Sequence, residues 1–341
     1  MAAIDLDETG WLLDEDDGEP LAEHDLARYF TERLAPPAWA TDLIVYVHGW
    51  QTPPDSASRA AGRLQEYAEH LVTVPGRYPR LTQEGYRPWT LAVRWPSSSR
   101  LSRSGYERIR DRAHAMGARS GTGHAAHVIG RLLGYLDAER PDPTDAPVLA
   151  NRDGQYLHLV GHSFGCRLLC EAVQWAAEAS LGDTLSWNLA GQQPSRPFTA
   201  DSMLLFQMAA PLDAFGTLFP SLLPEKETAT GTPRDGAPLR GPIVSTFSRY
   251  DRANGFWHLQ AEGERGIGHS GMAPVPLAPS RIRMRPTGQP YPYGSLDHRF
   301  VSVDASDFYV RGKRLNPAGS HSDHLRSESA HLLLSLADWS R

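Results

Sequence analysis

Short β-branched runs alternate with helix-periodic stretches along most of this chain, and that alternation leaves few folds open. The run "DLIVYVHGW" (42–50) reads as a buried strand ended by Gly49, and "WTLAVRWPS" (89–97) as a second strand halted by Pro96. Between them, "DSASRAAGRLQEYAEHL" (55–71) has helical periodicity and an acidic start. A long helical stretch is expected over 106–136, where Ile129, Leu132, Leu133 and Leu136 recur at helix spacing. A strand over 155–161 and a helix over 166–179 follow, then strands over 202–210, 242–251 and 299–306, and a last helix over 324–339. The pattern predicts an α/β fold: a mostly parallel central sheet with helices on both faces.

Two stretches interrupt the alternation, 211–241 and 254–296, and read as cap or loop insertions. Long irregular segments in a compact domain are functional covers, mobile loops, or decoration packed on the rim. The first holds an apolar cluster, Phe215, Leu218, Phe219, Leu222 and Leu223, expected to line an acyl pocket or to pack as lid or core. Residues 1–40 form an acidic extension, read as an added strand or helix packed on the core, and 41–341 as a single domain. No internal repeat is visible.

Composition narrows the partners. Hydrophobic residues at 40% and charged residues at 22% suffice for a buried core, and a net charge of -6 without a Lys/Arg-dense block argues against nucleic acid. The acidic start lacks the basic-then-apolar order of a secretion signal, and no apolar run is long enough to span a bilayer. Cys166 and Cys170 lie four apart on one face of an expected helix, which suits packing as reduced thiols and a cytoplasmic location. Oligomeric state is not readable.

The chemistry centres on "YLHLVGHSFGCRLL" (156–169), where Ser163 stands between Gly161 and Gly165 after an expected strand and before an expected helix. The pattern alone fits a small residue at a strand–helix junction as well as a nucleophile; its context favours a sharp turn that raises Ser163 clear of the sheet. A serine hydroxyl needs a histidine to take its proton, and that histidine needs a carboxylate to fix its tautomer. Asp251, closing the strand over 242–251, is the acid candidate, with an Asx-turn before "RANG" as its structural alternative and Asp304 as its rival. "NPAGSHSDHL" (316–325) offers His321 on a loop and His324 at a helix start; His321 is the preferred base and His324 the alternative. "HSDH" lacks a cysteine or third histidine at metal-ligand spacing, so no metal is assigned. Backbone N–H groups of Phe164 and Trp50, with Gln51 as second choice, are the expected oxyanion donors. His48 reads as a loop-orienting residue rather than the base.

In chain order, "LIVYVHGW", "LHLVGHSFG", "FSRYD" and "AGSHSDH" resemble the α/β-hydrolase superfamily, over roughly 41–339. "VRWPSSS" and "YERIRD" ahead of "GHSFG" look like a bacterial serine-esterase-like branch whose members mostly lack assigned substrates. The resemblance implies a Ser163–His321–Asp251 triad and an acyl-enzyme route that needs no cofactor. It implies a small-molecule acyl ester as substrate, with thioester, amide or acyl-transfer chemistry open to the same triad. Serine at the elbow, rather than aspartate, speaks against dehalogenase and epoxide-hydrolase chemistry. From another class, a catalytically silent scaffold that binds a partner is the competing reading.

Overall fold

Alternation within each strand sorts side chains onto two cores, one on either side of a single sheet. In the computed structural model, which describes residues 1–117, 123–137, 155–176, 200–222, 239, 241–310 and 317–341, nine strands pair. They are β1 (Ala2–Leu6), β2 (Leu12–Leu13), β3 (Asp42–Val47), β4 (Pro88–Arg94), β5 (Tyr156–His162), β6 (Ser202–Phe206), β7 (Ile243–Phe247), β8 (Ser280–Arg283) and β9 (Phe300–Asp304). Their order is β2-β1-β4-β3-β5-β6-β7-β9-β8, and every pairing except β1 with β2 is parallel.

The helices are α1 (Leu26–Arg33), α2 (Pro54–Val72), α3 (Pro79–Glu84), α4 (Arg103–Gly117), α5 (Ala125–Asp137) and α6 (Phe164–Ala176). The shorter α7 (Ala214–Thr217), α8 (His258–Glu262), α9 (Ile267–Ser270) and α10 (Tyr293–Leu296) precede α11 (Ser327–Trp339). Leu43, Val45 and Val47 of β3 face the core shared with α1, α4, α5 and α6; Ile44 and Tyr46 face the core shared with α2, α3 and α11. Helix α11 is buried almost all round, from Ser329 to Asp338, held by its leucines and alanines and by hydrogen bonds at Ser329, His331 and Asp338. The expected α/β-hydrolase fold, a mostly parallel sheet covered on both faces, is the observed one.

Several boundaries differ from expectation. Within the stretch over 106–136 the described residues form α4 and α5, with 123–124 outside either helix and 118–122 outside the described residues. The strand expected over 242–251 stops at Phe247, because Ser248 turns the chain: its Oγ donates to the Tyr309 carbonyl and its backbone carbonyl accepts from Asp251 N–H. Asp251 therefore sits on the loop four residues beyond β7 rather than at the strand's end. The last helix begins at Ser327, three residues after His324. Inside 254–296 lies β8, an edge strand whose sequence "SRIR" hides it: arginines occupy its more exposed positions. The first 34 residues contribute β1, on the edge of β4, and α1, whose Leu26, Tyr29 and Phe30 are buried.

Phe215, Phe219 and Leu222 do not line a pocket at Ser163. They are buried in the first core, and Phe215 packs on Phe300, the first residue of β9, at the edge where parallel strands enter. Leu223 and the remainder of that apolar insertion's tail, 224–238 and 240, lie outside the described residues, as do residues 177–179 of the expected helix over 166–179 and Asn316.

Candidate active site

Strand order reverses beside β3: the chain runs from β3 to β4 on one side and then to β5 on the other. Crevices at the carboxyl ends of such strands are where open α/β sheets bind ligands. Two turns meet there, the one after β3 and the one after β5. Ser163 occupies the second, with φ at 56°, a left-handed conformation that costs a non-glycine residue about 1–3 kcal/mol. The turn is tight enough that a Cβ on Gly165 would lie 2.2 Å from the His48 carbonyl oxygen and 2.4 Å from that of Val47. A Cβ on Gly49 would lie 2.7 Å from Cβ of Ser163, so the β3 turn runs directly against the serine.

The structure brings Ser163, His321 and Asp251 together. His321 Nε2 lies 2.6 Å from Ser163 Oγ, and His321 Nδ1 lies 2.8 Å from Asp251 Oδ2. An ionised carboxylate only accepts, so Nδ1 carries the proton and Nε2 presents a lone pair to the hydroxyl. Asp251 is fully buried, and Ser163 is 2% and His321 7% exposed. The loops that carry Asp251 and His321 are tied backbone to backbone: Ser320 N–H donates to the Tyr250 carbonyl (3.1 Å) and Arg252 N–H to that of Ala318 (3.2 Å). Asp251 makes both a turn contact and a histidine contact, one oxygen each. Its Oδ1 accepts the Asn254 N–H (3.0 Å) as a turn residue does, and its Oδ2 faces His321. Asp304 ends β9 and accepts the Ser306 N–H, away from His321.

His324 does not reach Ser163. Its ring stacks on His162 at 3.8 Å between centroids, lies against Phe206, and meets the Tyr46 hydroxyl at 3.2 Å. His162 Nε2–H donates to the His321 carbonyl (2.8 Å), so this stack props the His321 loop from beneath. Burial pushes His324 down to about 3, helped by the neighbouring His321; burial, then His324 and His321, pushes His162 well below the usual histidine range. His48 is brought to about 4 by burial, and its ring accepts the Trp95 N–H (3.1 Å), which fixes the β3 turn to the end of β4.

These three histidines make an acid-sensitive prop. Their folded pKa values lie below the unfolded value near 6.5, so neutral burial stabilises the fold fully above pH ~6.5 and that stability is lost progressively below it, down to about 4 for His48 and about 3 for His324. Each contributes a slope of up to about 1.4 kcal/mol per pH unit. Thermal unfolding followed from pH 7 to pH 4 should therefore show a steep fall in Tm, and His324→Phe should make the fall shallower. An unchanged slope in that variant would remove His324 from the prop.

Two backbone donors flank the serine. Phe164 opens α6, so its N–H is among the first four of the helix and has no intrahelical acceptor. Among the described residues the Trp50 N–H has no acceptor either, whereas the Gln51 N–H is taken by the Ser97 carbonyl (3.1 Å). Gln51 is thereby removed from the pair. Tyr106 holds both donor residues, its ring 4.7 Å from that of Phe164 and 5.7 Å from that of Trp50. Cys166 and Cys170 are buried free thiols against Phe206 and Met203.

Sequence reasoning passed over Gln207 and Asn254, which both reach Asp251. The signal for Gln207 was a large polar residue in the middle of the otherwise mostly apolar run "SMLLFQMAA"; for Asn254 it was the D-x-x-N spacing from Asp251. Among the described residues no group of acidic, histidine or cysteine side chains could hold a metal ion, and no helix is long and apolar enough to cross a membrane.

No family model matches the chain, and no curated protein matches it. Among solved structures it is similar to a gene product of Listeria innocua, at 12% identity and TM-score 0.26 over 64% of this chain and 78% of that one. It is similar also to a lipase-esterase related protein of Clostridium acetobutylicum, at 10% identity and TM-score 0.22 over 63% and 77%. An uncharacterized protein of Pseudomonas aeruginosa aligns with 92% of this chain and 48% of its own, at 10% identity and TM-score 0.31. Likenesses this distant say nothing of the chemistry, which rests on the side chains around Ser163. What the chain shares with them is an α/β architecture, here a nine-stranded, mostly parallel sheet covered by helices.

Proposed function

We propose that the chain is a serine hydrolase of the α/β-hydrolase superfamily, close to its bacterial serine-esterase-like branch, that cleaves a carboxylic ester through an acyl-enzyme. The observation that carries this reading is the continuous hydrogen-bonded line from Ser163 Oγ through His321 to Asp251 Oδ2, at 2.6 and 2.8 Å. Its position at the carboxyl edge of the sheet, beside two unclaimed amides, supports it further.

In this reading His321 Nε2 takes the Ser163 proton as Oγ bonds to the acyl carbon, and the carbonyl π electrons move onto oxygen. The N–H groups of Trp50 and Phe164 hold that oxyanion, an interaction worth about 10²–10³ in rate per donor. Asp251 stabilises the imidazolium without taking its proton. His321 then gives the proton to the departing alkoxide, and the alcohol leaves. Water, deprotonated by the same nitrogen, attacks the acyl-enzyme; collapse returns the proton to Ser163 and releases the acid. No step calls for a cofactor. Residues 1–40 and both insertions belong, in this proposal, to the one domain that carries the site.

The apolar cluster at Phe215 is core, so acyl selection falls to the walls around Trp50, Tyr106 and Phe164. A panel of p-nitrophenyl esters, matched thioesters and p-nitroanilides tests the reaction class. The expected order of kcat/KM is ester, then thioester, with anilides last. Turnover of thioesters alone would redirect the proposal to thioester cleavage, and inertness toward all three would favour a binding scaffold.

A further inference from the structure

The buried carboxylate of Asp251 has more donors than a histidine requires. Three nitrogens converge on Oδ2: His321 Nδ1 at 2.8 Å, Asn254 Nδ2 at 2.9 Å and Gln207 Nε2 at 3.0 Å. The fourth donor, Asn254 N–H, goes to Oδ1 at 3.0 Å. Asn254 Nδ2 and His321 Nδ1 lie 3.4 Å apart, side by side as two donors to one oxygen. We propose that Gln207 and Asn254 are positioning residues: paired side-chain amides that clamp Asp251 and, through it, hold His321 aimed at Ser163. This inference rests on the preceding reading of the three residues as a catalytic triad.

The amides are linked to each other and to the base loop. Asn254 Nδ2 also donates to the Gln207 main-chain carbonyl (2.9 Å), and Gln207 Nε2 also donates to the carbonyl of Ser320 (3.2 Å), the residue before His321. The acid, the base loop and the end of β6 are thus bound at one point. Neither amide can turn over, because its carbonyl oxygen would then face the carboxylate oxygen.

Three features separate a clamp from ordinary burial of a charge. Gln207 Oε1 and Asn254 Oδ1 are both buried without a partner among the described residues, so each amide satisfies Asp251 at the expense of its own oxygen. Gln207 stands at φ 48°, a conformation a side chain of its kind rarely adopts. The seat for Asn254 is bare backbone: a Cβ on Gly268 would lie 2.4 Å from its Nδ2, and one on Gly266 would lie 2.6 Å from its Oδ1. Strain and unmet hydrogen bonds gathered around one carboxylate are the pattern of a site that gives up stability for geometry.

Gln207→Met and Asn254→Leu keep size and remove the donors. Each should lower kcat toward p-nitrophenyl acetate by about 10–100-fold, the scale of a misplaced reacting group, with KM within about threefold. Tm should fall in both, because each variant takes a charge-assisted donor from the buried Asp251 carboxylate, a loss only partly offset as a buried unpartnered oxygen disappears with the amide. In proton NMR spectra of the ligand-free protein, the downfield His321 Nδ1–H resonance should move upfield in both variants. An unchanged kcat with an unchanged resonance would overturn the clamp while leaving the triad intact. A wild-type protein inert to the ester, with a resonance that still moves in both variants, would keep the clamp and overturn the reading of the triad as catalytic. If one variant fails to fold, the other carries the same test.

Discussion

Ser163→Ala is expected to lower kcat toward carboxylic esters by about a millionfold, the scale seen when a triad nucleophile is removed, with little change in folding. The loss is large because, among the described residues, His321 Nε2 meets only Ser163 Oγ and has no second nucleophile to act on. Folding is spared because alanine keeps the Cβ and the backbone contacts of the turn, where Ser163 N–H donates to the Phe206 carbonyl (3.0 Å). Ser163→Gly should be equally inactive but more stable, since glycine accepts a φ of 56° without strain. Tm measured beside turnover separates these outcomes. Substantial ester turnover in the alanine variant would place the reacting nucleophile elsewhere.

Asp251→Asn should cost about 10⁴ in kcat and, unlike the serine change, should also destabilise the protein. Both carboxylate oxygens accept: Oδ2 from His321, Asn254 and Gln207, and Oδ1 from the Asn254 N–H. An asparagine offers one acceptor and one donor, so either orientation sets its NH₂ against an N–H. With the NH₂ toward His321, the imidazole must move its proton to Nε2, and the lone pair facing Ser163 is lost. With the NH₂ toward Asn254, the turn at 251–254 loses its hydrogen bond. Loss of charge-assisted hydrogen bonds at a buried site costs about 1.5–3 kcal/mol each, so thermal unfolding should register the change together with kinetics. A variant of native stability and near-native kcat would contradict the role assigned to Asp251.

Much of the fold was legible because parallel strands buried on both faces are written as unbroken β-branched runs, as in "DLIVYVHGW" and "QYLHLVG". The edge strand β8 was not, because its alternating arginines look like a loop and only its pairing with β9 makes it a strand. Ser163 announced itself through two glycines whose Cβ positions are filled by neighbouring backbone. In sequence His321 is preferred over His324 only by its loop position, since just two residues separate them. In space His324 stacks on His162, whose Nε2–H holds the His321 carbonyl, and only His321 reaches Ser163 Oγ among the described residues. Gln207 and Asn254 were passed over for a different reason. Each is a polar residue with a local explanation, and only the meeting of the turns after β6 and β7 gives them a common target. Apolar character likewise marks Phe215 and Phe219 as buried but does not say at which edge of the sheet.

The most direct test of the central claim is covalent labelling with a fluorophosphonate, read by mass spectrometry of the digested protein. One adduct, on the peptide that carries Ser163 and absent from Ser163→Ala, is the predicted result. Equal labelling of the two proteins, or an adduct on any other residue, would contradict it.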